Sequence, residues 1–77
     1  MNHGIDLHGL DHKTALIKTE DALLAASLQV GFTFEIITGN SAILQDKITK
    51  LLEQYDFDYY IPSSNLGMII VSEGIVY

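Results

Sequence analysis

The chain has no cysteine, no arginine, one proline and no long apolar run. Each shortage excludes something. Without cysteine there is no disulfide and no thiolate zinc site, so the 77 residues must be held by their core. A chain of this size buries only about 60% of the surface its unfolded form exposes. It makes one small domain, read as residues 1–77, with little stability in reserve. The missing cysteine fits a reducing compartment. No stretch approaches the roughly 20 apolar residues that span a bilayer, and Met1-Asn2-His3 opens neither a basic nor an apolar targeting segment. The expectation is a soluble, cytoplasmic domain with no membrane contact and almost no linker at either end.

Basic charge is the scarcest resource. Four lysines face ten carboxylates, a formal net charge of −6. Phosphate backbones are bound by clustered Lys and Arg with release of counterions, so long-range attraction to nucleic acid is weak or repulsive here. A local basic patch remains available through Lys47 and Lys50, which are close in sequence, and Lys13, which is near the histidines. These three are the candidate nucleic-acid contacts.

What is present is an alternation of strand and helix patterns. Gly4 to Leu7 reads as a strand, broken by Gly9. Asp11 is placed to cap a helix from His12 to about Gln29, which Gly31 closes. Phe32 to Thr38 is aromatic and β-branched, hence a strand. Gly39-Asn40-Ser41 is a turn, with Asn40 or Ser41 capping a second helix from Ala42 to Tyr55. Phe57 to Pro62 and Leu66 to Ser72 flank a polar turn and pair as an antiparallel hairpin. The tail from Glu73 to Tyr77 extends the last strand or frays. The order β-α-β-α-β-β predicts an α/β (α+β) domain: a mixed four-stranded sheet packed by two helices, its strand–helix–strand unit parallel and right-handed.

The helices differ. At 100° per residue the second places Leu44, Ile48, Leu51, Leu52 and Tyr55 on one face, as a core helix does. The first has two stripes: Ala15, Leu16, Ala22, Leu23, Ala26 and Val30 with Thr19 on one side, and Ile17, Leu24 and Leu28 on nearly the opposite side. One sheet cannot cover both. The second stripe is either a margin shielded by long side chains or a contact surface for a protein partner or a second copy.

The chemistry-bearing stretch is Gly4-Ile5-Asp6-Leu7-His8-Gly9-Leu10. Side chains alternate along a strand, so Asp6 and His8 point one way while Ile5 and Leu7 point the other. His8 exchanges a proton near neutrality, and a carboxylate on the same face orients its ring or raises its pKa. Gly9 and Gly39 then close the carboxyl ends of two parallel strands, where ligands of open α/β sheets bind. The amides of Asn40, Ser41 and Ala42 open the second helix, and free amides with the helix dipole favour an anion there.

These residues resemble the Smr (small MutS-related) domain family. That family carries an L-D-L-H-G-L segment on its first strand, a T-G-x-G or H-G-x-G segment after its second, and an apolar last strand. Ile5 to Leu10 matches the first segment with one conservative change. Thr38-Gly39-Asn40-Ser41 matches the second except that Ser41 replaces the closing glycine, and Asn65 to Ser72 fits the last strand. The resemblance spans nearly the whole chain. It implies a DNA-nicking or RNA endonuclease domain of DNA repair or RNA processing, acting on branched or structured nucleic acid. It carries over Asp6, His8, Gly9, Thr38 and Gly39, and leaves out Ser41.

Joined to the reading of the residues, this gives a concrete expectation. Asp6 and His8 are the catalytic pair. Gly9, Thr38, Gly39, Asn40 and Ser41 bind the phosphate, and Lys13, Lys47 and Lys50 contact nucleic acid. Against it, Asp6 can simply bond backbone amides at a strand end, and His8 can line the turn. Ser41 adds a Cβ where the family has a hydrogen, and the basic residues that phosphate affinity needs are few. The alternative is a catalytically silent interaction module on the same fold, using Ile17, Leu24 and Leu28. No cofactor is evident. His3, His8 and His12, with Asp6 and Asp11 nearby, span a strand, a turn and a helix start, a spacing that does not impose convergence on a metal. A magnesium ion held by substrate phosphate and Asp6 is left open. Tyr55, Tyr59 and Tyr60 are read as packing residues before base-stacking ones.

Overall fold

The structure, a computed structural model, describes residues 3–26, 28 and 33–72. Its elements are β1 (His3–Asp6), α1 (His12–Ala26), β2 (Thr33–Ile37), α2 (Ala42–Gln54), β3 (Asp58–Tyr60) and β4 (Met68–Ser72). They form one mixed sheet in the order β1-β2-β4-β3. β1 and β2 are parallel, and β4 runs antiparallel between β2 and β3. The expected β-α-β-α-β-β domain and its closing hairpin are therefore present. The chain passes over β4 through α2 before returning to fill the gap.

One face of the sheet is covered. In β2 and β4 every second residue is buried, and the buried ones are cross-strand partners, Phe34 with Val71 and Ile36 with Ile69. They join Ala15 and Leu23 of α1 and Leu44, Ile48 and Leu52 of α2 in a single apolar cluster. The domain is thus two layers, helices on one side of a sheet.

α1 starts where Asp11 accepts the amide of Thr14 (3.2 Å), the expected cap. Ala15, Thr19, Leu23 and Ala26 are its buried line, and Thr19 satisfies its hydroxyl on the carbonyl of Ala15 (2.7 Å). Small residues along this line let the helix sit close to the sheet. Leu16 and Ala22 pack at its margin. α1 ends at Ala26, short of the expected Gln29, and Leu28 lies in the turn that follows, its amide donating to the carbonyl of Ala25 (3.4 Å). Val30, Gly31, Phe32 and the tail 73–77 lie outside the described residues.

α2 starts at Ser41, whose side chain accepts the amide of Leu44 (3.1 Å). Its buried line is Leu44, Ile48 and Leu52. Leu51 and Tyr55, expected on the same face, lie at its edges: Leu51 is half-buried and Tyr55 is exposed.

β1 has the expected four residues but lies one position earlier, and β3 and β4 are shorter than the pattern predicts, for local reasons. Leu7 still donates to Ile37 (2.8 Å) but ends β1 as the chain turns. Phe57 donates back to Leu52 (3.0 Å), which delays β3. The carbonyl of Gly67 is taken by Thr38 and Gly39 of the neighbouring turn, so β4 begins at Met68. Among the described residues no helix is long and apolar enough to cross a membrane.

Candidate active site

β1 ends on Asp6 at the carboxyl end of the sheet, and His8, expected on the same strand face, follows it in the β1–α1 turn. Asp6 Oδ1 accepts both the backbone amide of His8 (3.1 Å) and its ring Nδ1 (2.6 Å). An ionised carboxylate only accepts, so Nδ1 carries the proton and Nε2 is left to exchange one with a ligand. One oxygen of Asp6 thus bonds both the ring, as an orienting carboxylate would, and a backbone amide at the strand end, as a structural one would. Both side chains are open to solvent, His8 71% and Asp6 50% exposed. The ring bond and the amide bond hold the Asp6 carboxyl below its ordinary range, and the same carboxylate raises the imidazole of His8.

The second turn lies against the first. Gly39 is left-handed, with φ 67°, and a Cβ built on it would stand 3.3 Å from the Cβ of His8. Glycine is needed here both for the φ and for the approach. The amides of Thr38 (2.8 Å) and Gly39 (3.1 Å) converge on the carbonyl of Gly67. A Cβ on Gly67 would meet the Gly39 oxygen at 3.0 Å. Gly67 thus clamps the turn that carries Gly39.

Beyond Gly39 a cleft of about 190 Å³ opens, lined by Gly39, Asn40, Ser41, Ala42, Gln45 and Leu66. Gln45 closes one side by donating to the carbonyl of Leu66 (2.8 Å). The first amides of α2 have no helical carbonyl to bond, and they sit at the positive end of the helix dipole. The cleft is thus bordered by the first amides of α2, and the Gly39 turn that lines it approaches the His8 side chain.

No family model, curated protein or solved structure matches the chain.

The other expected site residues divide into groups. Asn40 and Ser41 line the cleft. Ser41 has an extended backbone (φ −85°) that any residue adopts, so its Cβ does not strain the turn. Thr38 is buried, and its hydroxyl donates to the carbonyl of Gly67 (3.2 Å), which makes it a support of the turn. Gly9 is exposed in the β1–α1 turn. Lys13 is exposed in the first turn of α1. Lys47 and Lys50 are outside the cleft: they line a separate groove of about 260 Å³ between the helices with Leu16, Leu51 and Gln54. Lys50 is also paired with Asp46 (3.1 Å).

Among the described residues no group of three or more His, Asp or Glu is placed to hold a metal ion. Tyr55 donates to Glu20 and Tyr59 to Glu53, and these carboxylates raise both phenols. Tyr59 packs on the core and Tyr60 is exposed. Sequence reasoning missed Gln45, Leu66 and Gly67. The only available signal was Asn65-Leu66-Gly67 ahead of an apolar strand, where Asn65 accepts the amide of Gly67 (3.1 Å).

Proposed function

We propose that the chain is an Smr-like nucleic-acid-processing domain, a DNA-nicking or RNA endonuclease. The observation that carries this reading is the contact between the Asp6–His8 pair and the Gly39 turn at the mouth of an anion-favouring cleft. In this reading the scissile phosphate sits on the first amides of α2. A nucleophilic oxygen, from water or a ribose hydroxyl, bonds to phosphorus as the bond to the leaving oxygen breaks. His8 Nε2 supplies the proton that the leaving oxygen takes up, or removes one from the nucleophile. Asp6 keeps the ring in one tautomer and favours its charged form. The acidic balance means that phosphate contacts alone hold substrate weakly, so strong salt dependence accompanies the reading.

Supercoiled plasmid and structured RNA, incubated with the protein at low and physiological salt and with and without magnesium, test it beside His8→Ala. Cleavage that falls by about two orders of magnitude or more in His8→Ala is the expected result for loss of a general acid or base. Equal cleavage by both proteins would sink the assignment.

The second reading is a catalytically silent interaction module. Its support is the exposure of Ile17 (51%), Leu24 (48%) and Leu28 (86%), the second stripe of the first helix pattern. An intact, folded protein that cleaves neither substrate under any of these conditions favours this reading.

A further inference from the structure

The helices cover one face of the sheet and leave the other to be accounted for. On that face the register sets Asp6 beside Ile37 and Ile37 beside Met68. The next row is Gly4, Glu35, Ile70 and Tyr60. Ile37, Met68 and Ile70 are half-buried and stand outside the apolar cluster beneath the helices, and Tyr60 is 60% exposed. They form a contiguous apolar area over the β2–β4–β3 part of the sheet.

Apart from the His8 imidazole bonded to Asp6, the charge on this face has one sign. Asp6, Glu35 and Asp58 border the apolar area, and no lysine shares the face with them: Lys13 and Lys18 are on α1, Lys47 and Lys50 on α2. Each helix also carries two carboxylates, so each is formally neutral. The whole net charge of −6 therefore belongs to strands, turns and tail. Half of it sits on this one surface.

We propose that this sheet face, which no helix among the described residues covers, docks a basic, apolar-faced segment of a partner protein. Apolar side chains of the segment cover Ile37, Met68, Ile70 and Tyr60, and its Lys or Arg residues meet Glu35, Asp58 and Asp6. Complementary charge at an interface sets the choice of partner, and like charges brought together cost several kcal/mol. The same border therefore repels a second copy of this face. The proposal does not rest on the endonuclease reading.

Labelled peptides provide the test: an amphipathic Leu/Lys helix, its Leu/Glu counterpart, and a scramble of the first. Binding is read by fluorescence anisotropy with the full chain. The Leu/Lys helix is expected to bind and the other two are not. Glu35→Lys and Tyr60→Ser, both on this face, are expected to weaken it about tenfold, the scale of a disrupted charge pair or contact. Asp21→Lys, the same charge change on α1, is expected to leave it unchanged. Equal weakening by Asp21→Lys would mean non-specific attraction and overturn the proposal. So would binding of the Leu/Glu helix, or no binding at all. Self-association that Glu35→Lys abolishes would give the face to a second copy. Binding that appears only after removal of residues 73–77 would give it to the chain's own tail. Anisotropy needs no catalysis, so this result and the cleavage result fail separately.

Discussion

The bond between Asp6 and His8 ties the site to pH in a definite direction. His8 is raised, so its contribution to stability is complete below the imidazole's unfolded value and is lost as pH rises through its folded one. Asp6 is lowered, so its contribution is present above its unfolded value and is lost as pH falls through its folded one. Both are present together from roughly pH 4 to 6.5, the interval between ordinary carboxylate and imidazole values. Both groups are well exposed, so the visible effect is on titration rather than on stability. Ring-proton NMR is expected to place the His8 midpoint above that of a free histidine, and Asp6→Asn is expected to return it to the ordinary range. An unchanged midpoint in the variant would mean that the ring and carboxylate do not pair in solution. The pairing was legible in the sequence as an aspartate two residues before a histidine at a strand end, although the turn that Asp6 holds through the His8 amide, and not strand alternation, brings them together. The role of Gly67 was not legible. It depends on which strand neighbours β2, and nothing local in Asn65-Leu66-Gly67 states that β4 rather than β3 takes that place.

The two ends of α2 contrast in how openly the sequence announces them. Ser41 is a recognised capping type, and it caps. At the other end no glycine follows Tyr55, yet Asp56 is left-handed with φ 61°. Its amide donates to Glu53 (3.1 Å) and that of Phe57 to Leu52 (3.0 Å). These are the paired bonds of a Schellman closure, built with aspartate where glycine is usual. Phe57 then packs against the core, which fixes the turn by tertiary contact. An L-residue in this conformation costs on the order of 1 kcal/mol, and glycine gives some of the gain back through the unfolded chain. Asp56→Gly is therefore expected to stabilise the domain by about 0.5 kcal/mol or more. In a domain of this size that raises Tm by roughly 2 °C or more. Thermal unfolding followed by circular dichroism measures it, and a lower Tm would show that the aspartate side chain is contributing a bond of its own. Boundaries elsewhere moved for similar reasons: strand ends were set by carbonyls already engaged, such as that of Gly67, which residue type alone does not reveal.

At the scale of the molecule the composition gave the net charge but not its layering. The expected and the observed helix bounds alike make α1 and α2 formally neutral, with the excess carboxylates on strands, turns and tail. The two-stripe pattern of α1 was legible, and its outer stripe is exposed as periodicity required. What it meets is a question of area and charge together. A stable interface takes about 800 Å² from each partner, and two aliphatic side chains on one 15-residue helix, with Leu28 past its end, supply a small share of that. Two copies of α1 packed antiparallel about Ile17 and Leu24 would also bring Glu20 and Asp21 of each towards those of the other, since both lie between these residues along the helix. Like charges at such a centre oppose pairing. The sheet face repels its own copy for the same reason. The chain is therefore expected to sediment as a single species of 8.5 kDa across the micromolar range at physiological salt. A dimer that Ile17→Ser dissolves would overturn this and move the weight of the functional reading from the Asp6–His8 pair to the surface of α1. A monomer unaffected by that substitution leaves the stripe as the solvent-facing margin of a helix whose other side is fully used by the core.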